Sequence, residues 1–180
     1  MNKNVLIIST SRRKNSNSEI LAKEFARGAS EVGNHVEIVT LADKTIHFCK
    51  GCLACQKLGH CVIEDDANAI TQKMLEAEVI VWATPIYYYE MSGQMKTMID
   101  RANALFSLDY KFRDIYLIGT AAEDEKSAVD GAVHGLEGWI ACFEKAKLCG
   151  VVRGVGVDAP GAVKESSEAL QEAYEMGKNV

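Results

Sequence analysis

The sequence predicts a doubly wound α/β fold, a parallel sheet with helices on both faces, and three observations carry that reading. Five short apolar runs rich in β-branched residues alternate with longer segments of helical period. The third of them, Val-Ile-Val-Trp-Ala, is apolar at every position, which suits a strand covered on both faces. No internal repeat, low-complexity tract or Pro/Gly-rich linker interrupts the alternation, so residues 1–180 are expected to form a single domain.

Taken in order, the first strand is expected over Val5 to Ser9. A helix follows over Ser18 to Glu31, with Ile20, Leu21, Phe25 and Ala29 on one stripe and Gly33-Asn34 as its stop. The second strand is His35 to Leu41. Thr45 to Glu64 has no period and holds four of the six cysteines. Asp65 and Asp66 offer an N-cap for a helix running to about Glu76, with Ile70, Met74 and Leu75 turned inward. The remaining strands are Val79 to Ala83, Ile115 to Thr120 and Val151 to Val157. Helical spacing separates and follows them over Met95 to Phe106, Gly131 to Lys147 and Val163 to Gly177.

Composition narrows the function. The net charge is -5, and Lys and Arg are scattered except for Arg12, Arg13 and Lys14, which argues against a nucleic-acid-binding surface. No stretch approaches the roughly 20 apolar residues of a membrane span, and no signal-like apolar core follows Met1. The expectation is a soluble, cytoplasmic protein. In that compartment six cysteines read as metal-binding, redox-active or buried rather than disulfide-bonded.

Ligands of an open parallel sheet sit beyond the carboxyl ends of its strands. The loop after the first strand reads Ser9-Thr10-Ser11-Arg12-Arg13-Lys14-Asn15-Ser16-Asn17-Ser18. Hydroxyls, amides and three cations thus precede a helix N-terminus, where free N–H groups and the dipole favour an anion. Neither G-x-G-x-x-G nor the P-loop pattern is present, so a phosphate monoester fits better than a dinucleotide or an NTP. A polar surface loop in which Ser18 only caps the helix is the plainer alternative. After the third strand comes Thr84-Pro85-Ile86-Tyr87-Tyr88-Tyr89. Three successive tyrosines cannot all face a core, and such a loop suits a flat heterocycle, an aromatic cap or a subunit contact.

Together these loops resemble the NAD(P)H-dependent FMN reductase family, whose fold is flavodoxin-like. The matching stretches are Thr10 to Ser18 and Thr84 to Tyr87, with Lys96 and Asp100-Arg101 on the following helix. The resemblance implies a five-stranded sheet in the order 2-1-3-4-5. By the same likeness Ser11, Arg13, Ser16, Asn17 and Ser18 hold the FMN phosphate. Pro85, Ile86, Tyr87 and Tyr88 line the ribityl chain and isoalloxazine, with Thr120 near the ring edge. NAD(P)H is the implied co-substrate, a small molecule or protein the acceptor, and a homodimer or tetramer the assembly. Thr10 and Arg12 depart from the family's usual Gly and Pro, and Ser16 from its Gly.

Cys49, Cys52, Cys55 and Cys61 form C-x2-C-x2-C-x5-C. The spacing resembles that of the iron-sulfur flavoproteins, in which such cysteines ligate a [4Fe-4S] cluster near the flavin. Three readings stand side by side: that cluster, uncomplexed or redox-sensitive thiols, and a tetrahedral zinc with His47 or His60 as substitute ligands. Cys142 and Cys149 read as small buried hydrophobes, and Asp65-Asp66 as helix capping. No Ser-His-Asp set or H-E-x-x-H motif is present, which agrees with chemistry carried by a flavin rather than by protein nucleophiles.

Overall fold

The computed structural model describes residues 2–180. Its elements are β1 (Asn4–Ser9), α1 (Asn17–Glu31), β2 (His35–Thr40), α2 (Cys55–Leu58), α3 (Asp66–Glu76), β3 (Val79–Tyr87), β4 (Glu90–Met91), α4 (Gly93–Arg101), β5 (Asp114–Thr120), α5 (Asp130–Ile140), β6 (Lys147–Gly154) and α6 (Ser167–Lys178). The sheet runs β2-β1-β3-β5-β6 with all neighbours parallel, and β4 pairs antiparallel with β3 off this path. Over the five long strands this is the expected permutation. The additional strand, β4, has two residues and no period to read.

Side chains alternate along a strand, so each central strand feeds both faces. Val5, Ile7, Val79, Val81, Tyr116 and Ile118 share one core with Leu21 and Phe25 of α1 and Ala169 and Ala173 of α6. Leu6, Ile8, Ile80, Trp82, Ile115 and Leu117 share the other with Ile70 and Met74 of α3, Met95 and Met98 of α4, and Leu136 of α5. The helix pair α1 and α6 crosses closely through glycines. A Cβ on Gly28 would lie 2.1 Å from the Tyr174 carbonyl oxygen, and one on Gly177 would lie 2.1 Å from that of Phe25. On the opposite face Trp82 meets Trp139 edge-on at 6.1 Å, and Trp139 stacks on Phe112 at 5.8 Å.

Element ends differ from the periodic reading where a local bond decides. β3 continues to Tyr87 because Glu90–Met91 supplies a hairpin partner. β6 starts at Lys147, pairing with Asp114 through a register irregularity between Ile115 and Tyr116. Correspondingly, α5 stops at Ile140 instead of reaching Lys147, and the next residues close in turns such as Phe143 N–H to Ile140 O at 2.8 Å. Past Arg101 the fourth helix tightens to 3₁₀ over Ala102–Ser107. Similarly, α6 is preceded by a separate 3₁₀ turn and starts anew where Ser166 caps Ala169 N–H. Among the described residues no helix is long and apolar enough to cross a membrane.

Candidate functional site

The loops after β1, β3 and β5 converge at the carboxyl edge of the sheet, where Ser9 is level with Ala83 and Pro85 with Thr120. Between them lies a cavity of about 140 Å³ lined by Ser11, Arg13, Ser16, Asn17, Pro85, Ile86, Tyr87 and Thr120, with Asp158 at its side. A neighbouring cavity of about 250 Å³ shares Ile86 and Tyr87 and adds Tyr88, Tyr89 and Glu123. The two form one groove, polar at the start of α1 and aromatic at the β3–β4 turn.

Ser16 caps α1, its hydroxyl accepting from Glu19 N–H at 3.5 Å and lying 3.0 Å from the Ser18 hydroxyl, which is fully buried. Asn17 is a strut. Its Nδ2 donates to the carbonyls of Val157 and Ala159, and its Oδ1 accepts from Val163 N–H, so the side-chain amide ties α1 to the loop after β6. Arg13 reaches the same loop, donating to the Asp158 carbonyl at 2.7 Å.

Tyr88 and Tyr89 are the two central residues of the β3–β4 hairpin, with φ of 50° and 64°. Positive φ at both positions is the geometry of hairpin turns normally given to Asn-Gly, and for a bulky side chain it costs roughly 1–2 kcal/mol per residue. Tyr88 is 99% exposed, so no packing of its own offsets that cost. Strain of this kind concentrates at ligand sites. The turn is braced from α5, where a Cβ on Gly131 would come within 2.2 Å of the Tyr89 carbonyl oxygen.

Beneath the groove a buried hydroxyl network joins its two walls. Thr10 Oγ1 donates to the Ala83 carbonyl and lies 3.0 Å from Ser92 Oγ, while Thr84 Oγ1 accepts from Ser92 N–H. Ser92 also caps α4 by accepting from Met95 N–H. Thr10 is therefore the pin between the first and third loops.

The four motif cysteines line one further cavity, of about 440 Å³, with Arg101, Asn103, Phe106 and Trp139. Cys49 Sγ accepts from Gly51 N–H and Cys55 Sγ from Asn103 Nδ2, both at 3.3 Å. Among the described residues no three His, Cys, Asp or Glu side chains close on a single point. His47 and His60 are not among the residues lining it. His47 instead meets Asp65, with Nδ1 3.0 Å from Oδ2, and His60 Nδ1 lies 3.0 Å from the Leu58 carbonyl oxygen.

One sequence expectation is corrected here and another is extended. Cys142 and Cys149 are exposed, not buried, and Cys142 lines the same cavity as the other four thiols. Both fall near element ends that the helical period misplaced. Asp65 does cap α3, accepting from Ala67 N–H, but its carboxylate also takes both arms of the buried Arg101 guanidinium at 2.6 and 2.9 Å. Burial alone would raise the Asp65 pKa. Hydrogen bonds from Arg101, from the His47 backbone and ring, and from Ala67 more than offset it and hold the carboxyl well below the usual range. Burial likewise works against the Arg101 cation, and Asp65 and Cys61 outweigh it, so its pKa is raised. Lys96, by contrast, makes an exposed pair with Asp100 at 2.6 Å.

The model of a family described as NADPH-dependent FMN reductase matches residues 3–133. An iron-sulfur flavoprotein of Methanocaldococcus jannaschii is 31% identical over 183 residues, covering 98% of this chain and 94% of the relative. One from Methanosarcina thermophila is 35% identical over 131 residues, 71% of this chain and 69% of the relative. In structure, an NAD(P)H:quinone oxidoreductase from Methanothermobacter marburgensis superposes with a TM-score of 0.78 at 15% identity, covering 99% of this chain and 96% of the other, which speaks to the fold.

Proposed function

The chain belongs to the NADPH-dependent FMN reductase family, and from that premise we propose that it is an FMN-dependent oxidoreductase reduced by NAD(P)H, working as one flavodoxin-like unit over residues 1–180. The observation that carries this reading is the pair of adjoining cavities at the sheet edge, which share Ile86 and Tyr87, one polar and the other aromatic. Bound there, FMN supplies hydride acceptance from a nicotinamide and release of one or two electrons.

The chain's own residues hold and orient. Ser11, Arg13 and Ser16, which line the polar cavity, would meet the phosphate with side-chain donors. Asn17 and Ser18 offer first-turn N–H groups, which have no intrahelical partner; the Asn17 amide is already engaged, and the Ser18 hydroxyl orients that of Ser16. Pro85, Ile86, Tyr87, Tyr88 and Thr120, which line the two cavities, would flank the ribityl chain and the ring. Mixing the flavin-free protein with FMN tests the assignment. Quenching of flavin fluorescence at one equivalent, followed by NAD(P)H oxidation, is the expected result. Protein that takes up no FMN refutes it.

The cysteine cavity favours a second centre on the same chain. Four cysteines lining one cavity suit a [4Fe-4S] cluster, and Cys49, Cys52, Cys55 and Cys61 would be its ligands. That centre would supply one-electron storage, and with it the chain would serve as an electron carrier between protein partners as well as a reductase of small molecules. Protein purified without oxygen should contain about four irons per chain, with sulfide, as a four-cysteine cluster requires; zinc in place of iron would overturn this. Six free cysteines fit a reducing, cytoplasmic setting. Exposed Phe48, Leu53 and Tyr88 fit burial in a homodimer or tetramer.

A further inference from the structure

The Arg101 side chain has 0% exposure, and four of its five N–H donors are spoken for. Nη1 donates to Asp65 Oδ2 at 2.6 Å and to the His47 carbonyl at 2.7 Å, and Nη2 donates to Asp65 Oδ1 at 2.9 Å and to the Ile63 carbonyl at 3.0 Å. Those two carbonyls bracket the cysteine segment, His47 two residues before Cys49 and Ile63 two residues after Cys61. The guanidinium is thereby fixed as a rigid plate joining the two ends of the ligand loop. Its fifth donor, Nε–H, is buried without a partner among the described residues, and Arg101 lines the cavity of the four cysteines. A buried charged donor left unmet carries the desolvation penalty of the whole group, so the position calls for an acceptor on the cavity side.

We infer that Arg101 Nε–H donates a hydrogen bond to a sulfur of the centre held by Cys49, Cys52, Cys55 and Cys61, making Arg101 a positioning residue that sets the centre's reduction potential. This rests on the reading of that cavity as a cluster site. Hydrogen bonds to cluster sulfurs are among the determinants of its potential. Each reduction adds one electron to the centre and makes or breaks no bond, and the added negative charge strengthens a bond donated by a cation. Asp65 neutralises the guanidinium overall, so the directed N–H, more than the net charge, carries the effect.

The test uses the whole protein, purified without oxygen, labelled with ¹⁵N at arginine Nε and reduced with dithionite. Electron spin-echo (HYSCORE) spectra of the reduced centre are expected to show a ¹⁵N coupling that is absent in Arg101→Lys. In redox titrations Arg101→Lys and Arg101→Gln should both shift the reduced-to-oxidised ratio at fixed potential about tenfold toward oxidised, about 59 mV for one electron. Lys keeps the charge, so an unshifted potential in Lys with a shifted one in Gln would overturn the hydrogen bond. So would labelled wild-type protein with full iron and no ¹⁵N coupling, a result available even if both variants fail to fold. Wild-type protein that assembles no iron and sulfide removes the cluster reading itself, and this inference with it; full iron without the coupling removes the inference alone.

Discussion

Replacing Asp65 by Asn keeps the side chain's shape and its ability to cap α3, but removes the charge that faces Arg101. The carboxylate accepts five hydrogen bonds, two from the guanidinium, two from His47 and one from Ala67 N–H. An amide has one acceptor oxygen, so several of those donors lose their partner, and the guanidinium remains buried without a counter-charge. Breaking a buried pair on one side costs about 3–5 kcal/mol. At about 2–4 °C per kcal/mol for a chain of this size, the lower figure predicts a fall in Tm of roughly 6–12 °C. Circular-dichroism melting of the two proteins at pH 7 measures it. Acid provides an independent check of sign. Asp65 has a folded-state pKa held below its unfolded value of about 3.9. The stability it contributes is therefore complete above that unfolded value, and is lost as pH falls from there through the folded pKa. The gap between wild type and D65N should narrow as pH drops below about 4. A loss under about 1 kcal/mol at pH 7, the worth of a surface pair, or a gap that widens on acidification would refute the argument.

Three further outcomes are expected. Ser16→Ala removes both the α1 cap and a phosphate donor; fluorescence titration should find FMN bound about tenfold more weakly, about 1.4 kcal/mol, and unchanged affinity would move the phosphate elsewhere. Gly131→Ala pushes a Cβ against the Tyr89 carbonyl, an overpacking worth roughly 1–3 kcal/mol; it should weaken FMN binding by displacing the tyrosine turn, and a crystal structure with that turn unmoved would contradict it. Cys61→Ser should lower iron after anaerobic purification while leaving FMN uptake intact, because the thiol lies outside the flavin groove; unaltered iron would exclude Cys61 as a ligand.

Features set by neighbours in sequence were readable in advance. Leu21, Phe25 and Ala29 recur at helical spacing and are buried on α1, and the uniformly apolar Val79–Ala83 is covered on both faces. The two groove loops were legible for a related reason, since topology places the ends of β1, β3 and β5 together once the strand order is known. What stayed hidden depends on partners far along the chain. Asp65 looks like a cap from its own surroundings, and its second role needs Arg101, 36 positions away. The role of Thr10 likewise needs Ser92, its bonding partner 82 positions on. Cys142 was misplaced because a thiol at a helix end has no periodic signature of exposure.

The edge-on pair formed by Trp82 and Trp139 contains both tryptophans of the chain. One ring lines the cysteine cavity, and the other sits on β3 three residues before Pro85, which lines the flavin groove. The protein therefore carries an intrinsic optical gauge between its two cavities. A coloured centre in either would draw energy from the same indole pair, so ultraviolet-excited emission follows the filling of both without any added dye.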